Sequence, residues 1–256
     1  MSESVLVLRL AGPMQSWGVS SKFNVRETEG QPTKSGVIGL LAAAQGRRRS
    51  DDIEDLLQLR LGVRVDQPGR LQRDYHTVSD YRGVPLPSSG TNAKGQQRST
   101  SPKKYTHVTK RYYLADAVFV AALEGSEDLL ATLAAAVRRP AFPLALGRRS
   151  CVPAQPLVVP DADQILWPGG LDTVLAQVPW QASAWRVRRA TGPTVTLPVV
   201  TDDPAGSELA GDVPTSFEPG SRVMRSRPVR SAWVEVPTGV PADGARGHDP
   251  FELLGG

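Results

Sequence analysis

The stretch 67–111 cannot bury itself. It carries nine lysines and arginines against two acids, Asp74 and Asp80, and its middle is built from Gly, Ser, Thr and Lys. That excess of seven positive charges is larger than the net +4 of the whole chain. A segment this poor in apolar residues gains too little from burial to offset the entropy of ordering it. It must be held out from a core that the rest of the chain builds. Its two ends, RDYHTV at 73–78 and KRYYLAD at 110–116, have the composition of strands. Tyr75, Tyr81, Tyr105, Tyr112 and Tyr113 lie in or beside it. Cations interleaved with aromatics suit a phosphate backbone whose bases are unstacked.

The remaining chain is long enough to supply that core. At 256 residues and 40% hydrophobic content it is ordinary for a globular protein. The 22 prolines and 24 glycines demand frequent turns, hence short strands rather than long helical bundles. A single cysteine, Cys151, excludes an internal disulfide and a cysteine-cluster metal site. The first residues lack the basic and apolar regions of a signal peptide. No apolar run approaches the ~18 residues that span a bilayer. The expectation is a cytoplasmic protein without a membrane partner.

Taken in order, residues 4–11 (SVLVLRLA) read as a buried strand from which Arg9 must reach water or a partner. Gly12 and Pro13 end it. Met14, Gln15, Ser16 and Trp17 follow in a loop, where Trp17 either stacks on a base or closes the core. Thr33 or Ser35 caps a helix over 37–44 that Gly46 closes. Free N–H groups beside Lys34, Ser35 and Gly36 would suit a phosphate, although the Walker spacing is absent and capping alone explains the pattern equally well. A short acidic helix is expected at 51–59, a half-buried strand at 60–66, and a hairpin partner at 71–78. A long strand follows at 112–123, then a helix at 129–139 with Leu129, Leu130, Leu133, Ala134 and Val137 on one face. Gly147, Arg148, Arg149 and Ser150 form a second candidate anion loop, and 157–159 is a short strand.

This order implies an α+β fold, a ferredoxin-like domain of the RNA-recognition type over 1–160. The polar segment 79–110 is an extended insertion within it. Strands at 185–189, 194–200 and 223–236 suggest a small C-terminal antiparallel β subdomain over 161–237. The tail 238–256 has the composition of a disordered segment.

Four separated motifs carry a family resemblance: LRLAGPMQSWG at 8–18, PTKSGVIGLL at 32–41, RDYHTV at 73–78 and LGRRSCVP at 146–153. Together they resemble the Cas-five family of RAMP proteins, in the branch that serves the type I-E CRISPR Cascade complex. The resemblance covers about residues 4–200. It implies a RAMP fold with a projecting thumb at 79–110. It implies a subunit that caps the foot of a ribonucleoprotein complex and grips the 5′ handle of the crRNA. The neighbours would be the backbone subunits and the large PAM-recognising subunit. Target DNA would be met only through the complex, in antiviral defence. No cofactor or metal is implied. The insert is unusually rich in Gly, Ser and Lys, and the tail beyond 237 departs from the family pattern.

On that reading Arg26, Thr33, Lys34, Ser35, Gly36, Arg148, Arg149 and Ser150 would meet phosphates. Met14, Gln15, Ser16, Trp17, Tyr75, His76 and Thr77 would stack on or edge the bases, with Lys104, Arg111 and Tyr112 beside them. Two alternatives belong to other classes. A metal-independent endoribonuclease processing precursor crRNA would need a general base and a cation, for which Tyr75, His76 and Lys104 or Arg111 are the candidates. Asp74 shares the strand face of His76, so those two could equally form a structural pair. In type I-E systems the resemblance assigns processing to a dedicated subunit. A generic single-stranded RNA-binding module would bind without regard to the handle sequence.

Overall fold

The computed structural model describes residues 4–18, 24–80, 93, 105–162, 164–218 and 223–239. In chain order its elements are β1 (Ser4–Ala11), β2 (Met14–Gln15), β3 (Val25–Arg26), α1 (Lys34–Ala44), α2 (Glu54–Leu57), β4 (Arg60–Gln67), β5 (Arg70–Asp80) and β6 (Tyr105–Ala115). There follow β7 (Val118–Gly125), α3 (Glu127–Arg138), β8 (Trp167–Pro168), α4 (Leu171–Gln177), α5 (Ala184–Val187), β9 (Thr194–Asp202), β10 (Glu208–Pro214) and β11 (Met224–Pro237). The fold is mixed α/β and dominated by antiparallel sheets.

One sheet has seven strands in the order β10-β11-β9-β4-β7-β1-β8. β1 reads as one apolar run because both of its faces are covered. Leu6, Leu8 and Leu10 point into a core shared with α1, α2 and α3, while Val5 and Val7 point into a second core under α4. β7 divides the same way, with Phe119, Ala121 and Leu123 on one side and Val120 and Ala122 on the other. Each fully buried aliphatic or aromatic side chain of this kind contributes about 1.5–3 kcal/mol.

The second sheet has four strands. β5 and β6 form a hairpin with eleven register pairs, from Arg70 opposite Ala115 to Asp80 opposite Tyr105. β2 and β3 pair with β6 at 114–115 and 110–111. The hairpin leaves the large sheet at a sharp junction. Gly69 (φ 72°) and Asp116 (φ 55°) both adopt the left-handed region. A Cβ at Gly69 would lie 2.5 Å from the Ala115 carbonyl oxygen, so only glycine fits there. Asp116 tolerates the conformation as a short polar residue, and its carbonyl and carboxylate accept bonds from Gln67 Nε2 at 2.5 and 2.9 Å.

Several local expectations change. The long strand at 112–123 is two strands in two sheets, split at Asp116 and Ala117. The hairpin partner of 71–78 is β6, and β4 pairs with β7 and β9. β4 is not half-exposed: Arg64 and Asp66 are completely covered. Arg64 bonds Asp66 bidentately (2.7 and 2.9 Å) and donates to the carbonyls of Leu175, Val178 and Pro179, within and beyond α4. Burial pushes the Asp66 carboxyl pKa up against the opposing pull of Arg64 and of the Gln181 N–H. The stretch 185–189, expected as strand, begins within the short helix α5. α4 and β10 are elements that the sequence pattern does not signal. β9 pairs with β4, so the C-terminal strands continue the large sheet by hydrogen bonds.

Candidate nucleic-acid interface

Side chains alternate between the two faces of the hairpin. One face carries Leu71, Arg73, Tyr75 and Thr77 from β5 opposite Leu114, Tyr112, Lys110 and Val108 from β6. Arg73 faces Tyr112, and Tyr75 faces Lys110. The result is a checkerboard of two cations and two aromatics across the strands. Tyr75 is 65% exposed, Arg73, Thr77 and Lys110 are exposed, and Tyr112 is half-buried. Aromatic faces with flanking cations are what an unpaired base and its phosphate require.

The other face carries Asp74 opposite Arg111 and His76 opposite Thr109. Thr109 is buried, and its Oγ1 lies 3.3 Å from His76 Nδ1. Parallel pairing of β3 sets exposed Arg26 beside half-buried Arg111. The Arg149 and Ser150 side chains are also exposed. Lys104 and most of the expected thumb, 81–92 and 94–104, lie outside the described residues.

Arg148 is spent differently from its neighbour. Its guanidinium donates to the carbonyls of Tyr112 (2.9 Å), Arg26 (2.7 Å) and Glu27 (3.1 Å). It also lies 4.9 Å from the Tyr113 ring centroid. It ties the hairpin root to the segment around β3 and is not free to act as an open phosphate ligand. Gly147 makes the close approach possible: its φ is +87°, and a Cβ there would sit 1.7 Å from the Ser16 carbonyl oxygen.

The helix N-terminus expected to hold a phosphate is already filled from within the chain. Thr33 caps α1 as anticipated, accepting from Gly36 N at 3.2 Å. The Lys34 N–H, however, donates to Asp212 Oδ2 at 2.7 Å, and the buried Lys34 ammonium pairs with Asp202 at 2.8 Å. Arg227 closes the cluster by bonding both Asp212 oxygens (2.7 and 3.0 Å) and Asp202. Burial alone would lower the Arg227 pKa, but the two carboxylates outweigh it and raise it. Asp212 is the anion that the helix dipole favours. Thr33, Lys34 and Ser35 are all buried, and a Cβ at Gly36 would meet Trp17 at 2.6 Å.

Trp17 is likewise a core residue, fully buried, with Nε1 donating to Gln15 Oε1 at 3.1 Å. Gln15 is also buried and satisfies the carbonyls of Leu10 and Ala117, both at 2.8 Å. Ser16 donates to the Tyr112 carbonyl at 3.3 Å. Half-buried Met14 packs on the core. The 14–17 loop is therefore the seam between the two sheets, because its polar groups are needed to satisfy strand ends.

Among the described residues no group of three or more His, Cys, Asp or Glu side chains is arranged to hold a metal ion. Cys151 is buried, and burial raises its thiol pKa, which makes it a small core hydrophobe.

A family model described as "CRISPR-associated protein (Cas_Cas5)" matches residues 5–230. The chain belongs to this Cas5 family. It is 38% identical over 173 residues to the CRISPR system Cascade subunit CasD of Escherichia coli (strain K12), covering 60% of this chain and 69% of the relative. A solved CRISPR RNA-guided surveillance complex contains a chain 37% identical, with a TM-score of 0.68 over 91% of both chains. A second solved structure, titled as a Cas protein, is 36% identical, with a TM-score of 0.67 over 93% of this chain and all of the other. The match thus spans both sheets and the hairpin.

Sequence reasoning passed over Arg73 and Lys110 as contact residues. Their signal was the two-residue spacing to Tyr75 and Tyr112, which puts each cation and aromatic on one strand face. It is a pattern that only strand pairing turns into a surface.

Proposed function

We propose that this Cas5 protein is a non-catalytic guide-RNA-binding subunit of a type I-E Cascade complex, holding the 5′ handle of the crRNA on the exposed root of its β5–β6 hairpin. The observation that carries the reading is the checkerboard of Arg73, Tyr75, Lys110 and Tyr112 on the open hairpin face. Arg26, Arg111, Arg149, Ser150, His76 and Thr77 supply further polar contacts around it. The relative named a Cascade subunit and the neighbour titled a CRISPR RNA-guided surveillance complex support this choice of ligand and assembly.

The finer architecture follows the same reading. The path β1-α1-β4-β7-α3-β8, with strand order β8-β1-β7-β4, fits a ferredoxin-like RAMP domain. The segment 79–110 would be its thumb, directed at neighbouring backbone subunits, with the large PAM-recognising subunit docking nearby. Residues 161–237 would be its β extension, and the complex would be cytoplasmic. Catalysis finds little support at His76, whose ring neighbours a threonine hydroxyl and whose strand face carries Asp74, aligned with Arg111.

The test is fluorescence anisotropy with the repeat-derived handle RNA and a scrambled RNA of equal length. Tight, handle-selective binding that weakens in Tyr75→Ala and Lys110→Ala is expected. Equal affinity for both RNAs would favour a generic binder. Cleavage of precursor RNA by the pure protein in EDTA, lost in His76→Ala, would favour the nuclease.

A further inference from the structure

A second aromatic and cationic site lies beside the end of β4, next to the hairpin root. Beyond α4 the chain forms a cleft of about 360 Å³ lined by Trp180, Trp185, Arg186, Arg189, Gly192 and Thr194. That volume is at the lower end of the ~300–1,000 Å³ of small-ligand sites. Trp180 fixes one wall by donating from Nε1 to the Asp66 carbonyl at 3.0 Å. Thr238 Oγ1, donating to the Gly192 carbonyl at 2.7 Å, fixes another. Trp185 is 59% exposed although the Arg189 guanidinium lies 4.7 Å from its ring centroid. The stack orients the indole and still leaves most of it to solvent.

The charge around this cleft is predominantly positive, and the carboxylate at its edge, Glu235, accepts from Thr194 Oγ1 at 2.5 Å. Between Asp172 and Asp202 the chain has no acid and three arginines, Arg186, Arg188 and Arg189. All three are exposed, and none makes an ion pair among the described residues. Packing within the fold does not account for a solvent-facing tryptophan in this setting. An apolar protein partner would gain little from three unpaired guanidinium groups, whereas a polyanion with π-faces uses both features.

The cleft is also in register with the hairpin. Ser183 N and Oγ donate to Gln67 Oε1 at 3.2 and 3.1 Å, and Gln181 N donates to Asp66 Oδ2 at 2.6 Å. Asp66 and Gln67 end β4, and β5 begins at Arg70. The cleft is therefore anchored to the residues from which the hairpin springs.

We infer that this cleft is a second single-stranded RNA site, in which one unpaired base stacks on Trp185 and the flanking phosphates meet Arg186 and Arg188. It rests on the reading of the chain as a guide-RNA binder and extends the strand's path past the hairpin root. The stack on Arg189 holds the indole ready, so little side-chain freedom is given up on binding.

The test uses the full chain with a 4-thiouridine-substituted single-stranded RNA. Crosslinked peptides are mapped, and affinity is measured by anisotropy over a salt series. Crosslinks within 184–192 are expected. Trp185→Ala should bind roughly 5–150-fold more weakly, and Trp185→Phe close to wild type. The double variant Arg186→Ala/Arg188→Ala should lower the salt slope by ~0.7 for each phosphate that is no longer neutralised. Wild-type binding with no crosslink at 184–192 and a Trp185→Ala affinity within twofold would overturn this site and leave the hairpin reading intact. Failure of the wild type to bind RNA would overturn both. Crosslinking there by single-stranded DNA and not RNA would overturn the RNA assignment. Unchanged RNA binding with loss of a co-purifying subunit would make the cleft a protein-docking surface instead.

Discussion

Replacing Asp212 by alanine should be strongly destabilising although the residue lies outside the apolar cores. The Asp212 side chain is 8% exposed and accepts three bonds: from the Lys34 N–H at the start of α1 and from Arg227 Nε and Nη2. Its loss leaves the α1 N-terminus without its carboxylate and strips Arg227, itself 12% exposed, of one of two counter-charges. Breaking a buried charge pair from one side costs about 3–5 kcal/mol, because the stranded partner keeps its desolvation penalty. The remaining bond from Arg227 to Asp202 places the expectation toward the lower end. For a chain of this length, ~2–4 °C per kcal/mol translates 3–5 kcal/mol into about 6–20 °C of Tm. Urea unfolding followed by circular dichroism measures it. A loss below about 1 kcal/mol would refute the reasoning, since the cluster would then be solvated and the helix end open. The double variant Asp212→Ala/Arg227→Ala should cost less than the sum of the single ones, because the second change removes the stranded charge. Phosphate or sulfate should raise the Tm of Asp212→Ala more than that of wild type, since only the variant has a vacated helix N-terminus.

Four further outcomes rest on individual residues. Arg148→Ala should lower stability by about 1–3 kcal/mol by removing three charge-assisted bonds while leaving the salt slope of RNA binding unchanged; exposed Arg149→Ala should do the reverse, reducing the slope by ~0.7 with a neutral Tm. Gly147→Ala should fail to accumulate as folded protein, judged by soluble yield and near-UV circular dichroism, because its Cβ would overlap the Ser16 carbonyl. The Arg47 hydrogen bond lowers the Asp55 pKa, so that pair stabilises the fold above the unfolded carboxylate value of about 3.9. Its contribution is lost as pH falls through the depressed folded value. Asp55→Asn should therefore narrow its stability gap to wild type below about pH 4 in an acid titration; a constant gap would sink the assignment.

Much of the scaffold was legible in the chain itself. β1, α1 with its Thr33 cap, and α3 announce themselves because burial and capping leave marks within a few residues, whereas the run 112–123 reads as one strand until the turn at Asp116 divides it between β6 and β7. The strand character and the positive charge of the hairpin ends were legible too, but the pairing of Arg73 with Tyr112 and of Lys110 with Tyr75 on one face needed the register of β5 and β6. What the chain could not disclose is which polar groups are already spoken for. Lys34, Arg148 and Trp17 look like RNA ligands in one dimension. Lys34 is consumed by Asp202, 168 residues away, and Arg148 by carbonyls 36 to 122 residues away, while Trp17 closes the core. Arg64 and Asp66 look like an exposed strand face until α4, more than a hundred residues later, covers them. The sequence determined the net charge and those elements whose marks are local, such as β1, α1 and α3, because these depend on composition within a few residues. Only the tertiary structure decided which cations remain free to meet an anion, because a charge buried in a fold must find its counter-charge wherever the chain brings one.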